Sequence, residues 1–352
     1  MGEAEFSGEV GSDRIRSFSG RCDEGLKDEN NLADCEELHS MHPRKPIPAR
    51  RSTIIGPPPP APPLASAVVE ESGLVSESAP LGVAEFYGLS GGWICHRGKV
   101  RRGNEDACWM GSGVIDGEAA DCETPTEVKK STSPWLVAVS DGIGGHLAGA
   151  EASRAVVSEI GQCELITQDA IKMQIENLNK TLCERGIADK AFASMGATVA
   201  GLGCGPTGLF MFHVGDSRIY REEEGKLELL TRDDSEAEDL IDQGLLERSE
   251  GKRPGFLHAL TQAVGGRDEV LEIDVHVQAI AVMRPTRFLI CTDGLTDMIQ
   301  LADMEHLIQG VEGAKEQVAA LFAGAMEAGG QDNITIAVVD VTPLDAADRG
   351  EG

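Results

Sequence analysis

Five short apolar runs constrain the fold of this chain more than any other feature of its sequence. Each is six to eight residues long, is rich in β-branched residues and is bounded by Gly, Asp or Pro. Such runs are typical of buried or half-buried β-strands. They predict strands at residues 135–140 (WLVAVS), 197–202 (ATVAGL), 208–215 (GLFMFHVG), 287–292 (RFLICT) and 334–341 (ITIAVVDV).

Segments with helical character lie between these predicted strands. Residues 169–186 show the clearest pattern, because four aliphatic residues recur there at helical spacing. Residues 151–162 and 303–327 are predicted to be helical as well, whereas residues 111–133 are predicted to form a long exposed loop. The mixture indicates an α+β protein whose sheets are covered by helices.

The N-terminal quarter of the chain has a different composition. Residues 56–63 read GPPPPAPP, residues 44–51 are basic, and no strand or helix period persists before about residue 86. We therefore predict a disordered, Pro-rich extension over residues 1–85, a folded domain over 86–343 and a flexible tail over 344–352. The extension is either a docking or targeting segment or a plain flexible extension.

Charge and cysteine content exclude several classes of protein. The formal net charge is −28, which disfavours binding to nucleic acid or to an anionic membrane surface. The nine cysteines form no CxxC pair and suggest reduced thiols in a cytoplasmic protein. No apolar run reaches the roughly 18 residues that span a bilayer. The N-terminus lacks a signal pattern, and Phe6 replaces the Ser or Thr of a myristoylation motif.

Acidic residues stand at the ends of the predicted strands. Each taken singly fits a turn or a helix cap. Several carboxylates that converge at one edge of a sheet would repel one another unless cations neutralise them, and hard oxygen ligands suit Mg²⁺ or Mn²⁺ rather than zinc. These residues are Asp141, Asp216, Asp293 and Asp332, together with residues 104–106 at the start of another predicted strand.

Seven motifs in order resemble the metal-dependent protein phosphatases, the PPM or type 2C Ser/Thr phosphatases, in their bacterial form. The resemblance spans roughly residues 86–343 and implies a four-layer αββα sandwich, with two antiparallel sheets flanked by helices. The motifs are residues 101–107 (RRGNEDA), 139–146 (VSDGIGGH), 196–202 (GATVAGL), 213–221 (HVGDSRIYR), 260–266 (LTQAVGG), 291–297 (CTDGLTD) and 330–339 (GQDNITIAVV).

The resemblance also implies a metal site of two Mn²⁺ or Mg²⁺ ions. Asp141 resembles the aspartate that bridges both ions, and the carbonyl of Gly142 resembles a ligand of one of them. Asp293 and Asp332 resemble the other direct carboxylate ligands. Two such ions lower the pKa of a bridging water and supply hydroxide for in-line attack on phosphorus.

Four further acidic residues take less direct roles by the same resemblance. Glu105 and Asp106 match the acidic pair near the second ion, where they often act through water. Asp216 and Asp297 match the carboxylates of a third, weaker metal site in bacterial members.

An arginine in the first motif is the expected phosphate ligand. Arg101 stands four residues before Glu105, where the family places its phosphate-binding arginine, although the adjacent Arg102 is a second candidate. Arginine binds phosphate in a bidentate, charge-assisted way. The mechanism needs no covalent phosphoenzyme.

The chain departs from the family pattern at a few positions. Ile143 stands where some members carry a histidine that protonates the leaving alcohol, and His146 nearby is predicted to be structural or exposed. Ala197 and Asp234 replace a usual Thr and a usual His. Residues 233–266 resemble the flap beside the active site.

The expected function is hydrolysis of phosphoserine and phosphothreonine in proteins, in opposition to a cognate Ser/Thr kinase in a signalling pathway. We expect a monomer. Two alternatives stay open: a catalytically silent module that uses the fold to hold a partner, and a divalent-metal hydrolase of another type.

Overall fold

The computed structural model describes residues 86–111, 113–116, 124–132, 134–247 and 259–344. The predicted extension over residues 1–85 and nearly all of the predicted tail lie outside these ranges. The described residues belong to a single contact unit.

The first of two six-stranded sheets has the order β11-β10-β14-β15-β1-β4, and all its neighbours are antiparallel. Its strands are β1 (Tyr87–His96), β4 (Thr126–Thr132), β10 (Arg218–Glu223), β11 (Lys226–Leu229), β14 (Thr286–Cys291) and β15 (Ile334–Pro343).

The second six-stranded sheet has the order β13-β9-β8-β5-β2-β3 and is also antiparallel throughout. Its strands are β2 (Ala107–Met110), β3 (Val114–Asp116), β5 (Trp135–Ser140), β8 (Val199–Gly205), β9 (Gly208–Val214) and β13 (His276–Ala279).

The helices and one small sheet complete the architecture. Three two-residue strands pair in the order β12-β7-β6, namely β6 (Gly142–Ile143), β7 (Gly196–Ala197) and β12 (Val264–Gly265). The α-helices are α1 (His146–Gly161), α2 (Gln168–Ala188), α3 (Glu236–Asp242), α4 (Asp293–Thr296), α5 (Leu301–Ile308) and α6 (Ala314–Glu327), and a 3₁₀ turn spans Lys190–Phe192.

Alternation along the strands divides the interior into three apolar layers. In β15, Ala337 and Val339 face the other sheet, whereas Ile336 and Val338 face the helices. Successive side chains of a strand point to opposite faces, so a strand covered on both sides reads as one apolar run. The layer between the sheets joins residues of both, a second layer joins β5, β8 and β9 to α1 and α2, and a third joins β14 and β15 to α5 and α6. The predicted αββα sandwich is thus confirmed.

The predicted helices form where the aliphatic spacing placed them. Ile171, Ile175, Leu178 and Leu182 are buried along α2 against the second sheet. Thr167 caps this helix, because its side chain accepts a hydrogen bond from the amide of Ala170. The predicted third helical region divides into α5 and α6.

The loop predicted over residues 111–133 was wrong in part. Strands β3 and β4 lie within it, one at the edge of each sheet. Edge strands bury only part of their surface, so their polar sequences give no apolar run. Residues 112, 117–123 and 133 lie outside the described ranges.

The six cysteines of the described ranges are all free, in agreement with the predicted reduced thiols. None of the helices that the structure describes is both long and apolar enough to cross a membrane.

Candidate active site

The antiparallel order of both sheets brings the predicted acidic residues to one end of the sandwich. The last residue of β14, Cys291, pairs with Ile336 near the start of β15. Likewise Ala107 at the start of β2 pairs with Ser140 at the end of β5. The segments that carry Asp293, Asp332, Asp106 and Asp141 therefore leave or enter the sheets at the same end.

The carboxyl groups at this end of the sandwich perturb one another. Burial raises the pKa of Asp141 well above its ordinary value, and the charges of Asp106, Asp293 and Asp216 raise it further. Burial, with the charges of Asp297 and Asp332, raises the pKa of Asp293 to about 6. The structure thus concentrates negative charge in a site that water solvates poorly.

Asp106 lies at the buried floor of this cluster. Its Oδ2 accepts hydrogen bonds from the hydroxyls of Thr292, at 2.9 Å, and Thr335, at 2.7 Å. Its Oδ1 is buried without a hydrogen-bond partner in the described structure. Burial is the main cause that raises the pKa of Asp106 to about 7. The two threonines fix the carboxyl group and leave one oxygen free for another ligand.

Thr198 positions the loop that carries Asp141. The Thr198 hydroxyl accepts a hydrogen bond from the Asp141 amide at 3.0 Å, and the Thr198 amide donates to the Asp141 carbonyl at 2.9 Å. The same hydroxyl lies 2.7 Å from that of Ser217, the residue after Asp216. One side chain therefore sets the relative position of two acidic segments.

Gly142 follows Asp141 at a place where the backbones of three segments meet. A Cβ atom on Gly142 would lie 2.2 Å from the carbonyl oxygen of Gly149 and 2.6 Å from that of Glu105. Those distances exclude any side chain, because the obstructing atoms are backbone. The glycine permits the approach of α1 to the segment that carries Glu105.

Asn333 organises the segment that carries Arg101 and Glu105. Its side-chain amide donates to the carbonyls of Arg97 and Gly103, both at 3.0 Å, and its Oδ1 accepts from the Glu105 amide at 2.8 Å. These bonds span more than 220 residues of sequence. The residue next to Asp332 thus shapes the loop that carries Arg101 and Glu105.

Arg101, and not Arg102, reaches the cluster. Its guanidinium donates to Asp332 Oδ2 at 2.5 Å, and its side chain remains 47% exposed. Burial opposes its charge, but nearby Asp332, Glu105 and Asp141 raise its pKa. Because the guanidinium is half-exposed, it can donate to an anion that arrives from solvent.

The donor atoms of this end of the sandwich fit hard divalent cations. The acidic side chains and the Gly142 carbonyl offer only oxygen, the donor set that Mg²⁺ and Mn²⁺ prefer. Two carboxylate oxygens, Asp106 Oδ1 and Asp293 Oδ1, are buried and lack a hydrogen-bond partner in the described ranges. Buried ionisable oxygens are normally paired or coordinate metal.

The other predicted site residues take varied places. Glu105 is buried, Asp332 is half-buried and Asp297 is exposed just after α4. Burial and the charge of Asp293 raise the pKa of Asp216 well above its ordinary value. Ile143 is half-buried in β6, and the side chain of His146 lies outside the described part. Four positioning residues were not predicted from the sequence, although all of them lie within the seven motifs: Thr198, Thr292, Asn333 and Thr335.

Comparisons with known proteins agree with this geometry. The family model for protein phosphatase 2C matches residues 122–323. The serine/threonine phosphatase stp of Listeria welshimeri is 27% identical over 253 residues, which cover 69% of this chain and 92% of the relative.

Two solved structures are similar as well. The serine/threonine phosphatase of S. agalactiae aligns with a TM-score of 0.58 and 26% identity, over 71% of this chain and 98% of that one. The catalytic domain of PstP in complex with two manganese ions aligns with a TM-score of 0.54 and 25% identity, over 72% and 99%. Together with the family match, the ordered motifs and the confirmed sandwich, these similarities show that the chain belongs to the protein phosphatase 2C family.

Proposed function

We propose that this chain hydrolyses phosphoserine and phosphothreonine in proteins, with divalent cations as cofactors. The reaction would take place at the acidic residues that converge at one end of the sandwich, which we call the carboxylate cluster: Glu105, Asp106, Asp141, Asp216, Asp293, Asp297 and Asp332. The observation that carries the proposal is the convergence of buried and half-buried acidic side chains at one end of the sandwich, beside the half-exposed Arg101. The family and its named relatives give the enzyme class, a protein serine/threonine phosphatase.

Asp141, Asp293 and Asp332 would hold two Mn²⁺ or Mg²⁺ ions, with the Gly142 carbonyl as a further ligand. Glu105 and Asp106 would bind the second ion directly or through water, and a third site would use Asp216 and Asp297. Such ions supply a nucleophile from water at neutral pH and offset the charge on the phosphoryl oxygens. The unpartnered oxygens of Asp106 and Asp293 support this assignment.

Arg101 would bind and orient the phosphoryl group. Its guanidinium carries several N–H donors in a planar fork, so it can keep its contact with Asp332 and still donate to a phosphate. That contact aims the side chain at the cluster. The adjacent Arg102 has no such contact in the described ranges and is not needed for the mechanism.

The positioning residues keep the carboxylates fixed during turnover. Thr198 and Asn333 connect the acidic segments through hydrogen bonds, so the cluster is preorganised. Ile143 has no ionisable proton to donate, so the leaving alkoxide would take its proton from water.

The biological setting follows from the chemistry of the substrate. Phosphoserine and phosphothreonine arise by kinase action, so the enzyme would oppose a Ser/Thr kinase in a cytoplasmic signalling pathway. Residues 86–343 would form the phosphatase domain and act as a monomer.

Phosphate release from a phosphothreonine peptide tests this function. The wild-type protein should release phosphate only when Mn²⁺ or Mg²⁺ is supplied, and Asp141→Asn should abolish release while the fold survives. Asp268→Asn, at an exposed aspartate outside the seven motifs, is the matched control. No release by folded, metal-supplied wild type would contradict the proposal, and phosphopeptide binding without turnover would favour a silent module. A preference for small phosphate esters over phosphoproteins would favour a hydrolase of another type.

A further inference from the structure

Two histidines and an aspartate meet outside the carboxylate cluster. His213 lies in β9, His276 lies directly opposite it in β13, and Asp234 lies just before α3. One ring nitrogen of each histidine and one oxygen of Asp234 lie within 4.8 Å of one another. We call these three residues the histidine cluster.

Burial and hydrogen bonds hold the side chains of the histidine cluster in place. Asp234 is buried, and its Oδ2 accepts a hydrogen bond from the Gly215 amide at 2.8 Å. Its Oδ1 lies 3.0 Å from Nε2 of His276, whose ring stacks on that of His213 with centroids 4.4 Å apart. His213 is itself 3% exposed, and its Nδ1 is buried without a hydrogen-bond partner in the described residues. An unpartnered buried nitrogen of this kind calls for an explanation.

The protonation states of the two histidines suit a metal ion, which binds to the lone pair of a neutral imidazole nitrogen. Burial, and then the neighbouring His276, lower the pKa of His213 to about 4, so its ring is neutral near pH 7. The hydrogen bond from His276 to Asp234 raises the pKa of His276. A cation bound between them would displace the proton that this bond holds.

We propose that the histidine cluster binds a transition-metal ion of the Zn²⁺ class, separate from the divalent cations of the carboxylate cluster. Two imidazoles and a carboxylate form a donor set that zinc accepts and that Mg²⁺ does not favour. Donor atoms around a tetrahedral zinc ion lie about 3.4 Å apart. The three donor atoms here lie up to 4.8 Å apart, so they must approach one another by about 1.4 Å at most when zinc binds. The two stacked rings must tilt to allow this approach. The His276 side chain is 33% exposed, which leaves a path for the ion and for a water as fourth ligand.

Such an ion would link the flap, residues 233–266, to strands β9 and β13 at the edge of the second sheet. The amide of Asp234 donates to the Gly215 carbonyl, and the amide of Thr261 donates to the Asp234 carbonyl. Ser235 pairs with Leu260 in an isolated bridge. Both ends of the flap therefore join at Asp234, which is hydrogen-bonded to Gly215, the residue before Asp216. Metal bound to the histidine cluster would restrain this junction.

Co²⁺ binding to the full chain tests the proposal without reference to catalysis. Co²⁺ replaces zinc and absorbs visible light strongly in a tetrahedral site but weakly in an octahedral oxygen site. The titration is made with excess Mg²⁺ present, so that the carboxylate cluster is occupied. We expect one strongly absorbing Co²⁺ per chain, displaced by an equivalent of Zn²⁺. Hydrogen exchange of α3 should slow on binding.

Variants then assign the site. His276→Ala and Asp234→Asn should each lose the strong absorption, whereas His306→Ala, at an exposed histidine of α5, should retain it. Because His276 is partly exposed, its variant should fold even if Asp234→Asn does not. No strong absorption by wild-type protein, or absorption that His276→Ala leaves unchanged, would overturn the proposal. These outcomes leave the phosphatase proposal untouched, since no substrate takes part.

Discussion

The carboxylate cluster should lower the free energy of unfolding when no metal is bound. The substitution Asp293→Asn measures how large this effect is. Asp293 is half-buried, its Oδ1 is buried without a hydrogen-bond partner in the described ranges, and Asp297 and Asp332 add their negative charges. Asparagine keeps the size of the side chain and removes its charge. We therefore expect Asp293→Asn to unfold at a higher temperature than wild type in the presence of a chelator.

The magnitude follows from the pKa of Asp293. Its rise from 3.8 to about 6 in the folded state corresponds to roughly 3 kcal/mol of free energy of unfolding. The folded state holds the proton more tightly, so this loss of stability is complete above about pH 6 and vanishes below the unfolded pKa. For a domain of this size, 3 kcal/mol corresponds to a melting shift of about 6–12 °C.

Thermal unfolding in EDTA between pH 4 and 8 provides the assay, with Asp268→Asn as the matched surface control. The advantage of Asp293→Asn should be largest at pH 8 and should shrink toward pH 4. Mn²⁺ at a thousandfold excess over Kd should then reverse the order, because wild type gains about 4.1 kcal/mol and the variant does not. An advantage that is absent at pH 8, or that does not change with pH, would show that the charge of Asp293 does not destabilise the metal-free fold.

Three further substitutions test single contacts. Arg101→Ala should raise KM for a phosphopeptide about ten- to hundredfold, the equivalent of 1.5–3 kcal/mol, with Arg102→Ala as control; an unchanged KM would remove Arg101 from the phosphate site. Gly142→Ala should cost about 1–3 kcal/mol of stability by denaturant unfolding, because its Cβ has no room; wild-type stability would contradict that packing. Thr198→Val should lower kcat more than it raises KM, since it frees Asp141; unchanged kinetics would show that Thr198 is dispensable.

Much of the fold could be predicted because its central strands are covered on both faces. The runs at β5, β9 and β15 are continuous and apolar, since each strand packs against a sheet on one side and helices on the other. Strand β1 was missed although it is central. Its sequence, YGLSGGWICH, interrupts the apolar pattern with glycines. Gly92 is required by a tertiary contact, because a Cβ there would lie 2.6 Å from Cα of Lys315.

The acidic residues of the candidate site were identifiable, but the side chains that hold them were not. Each aspartate follows or precedes an apolar run, so its place at a strand end is a local property. Thr198 and Asn333 act through partners 57 and 228 residues away, which depend on the pairing of the strands. The histidine cluster is a similar case, since His213 and His276 become neighbours only through the register of β9 and β13.

An anomalous difference map from a crystal soaked in Mn²⁺ tests the central claim most directly. We expect manganese peaks at the end of the sandwich where Asp141, Asp293 and Asp332 converge, with an oxygen of each within bonding distance. Those peaks should disappear in Asp141→Asn. A map in which manganese is absent from these aspartates, or binds only elsewhere on the protein, would show that they do not form the metal site.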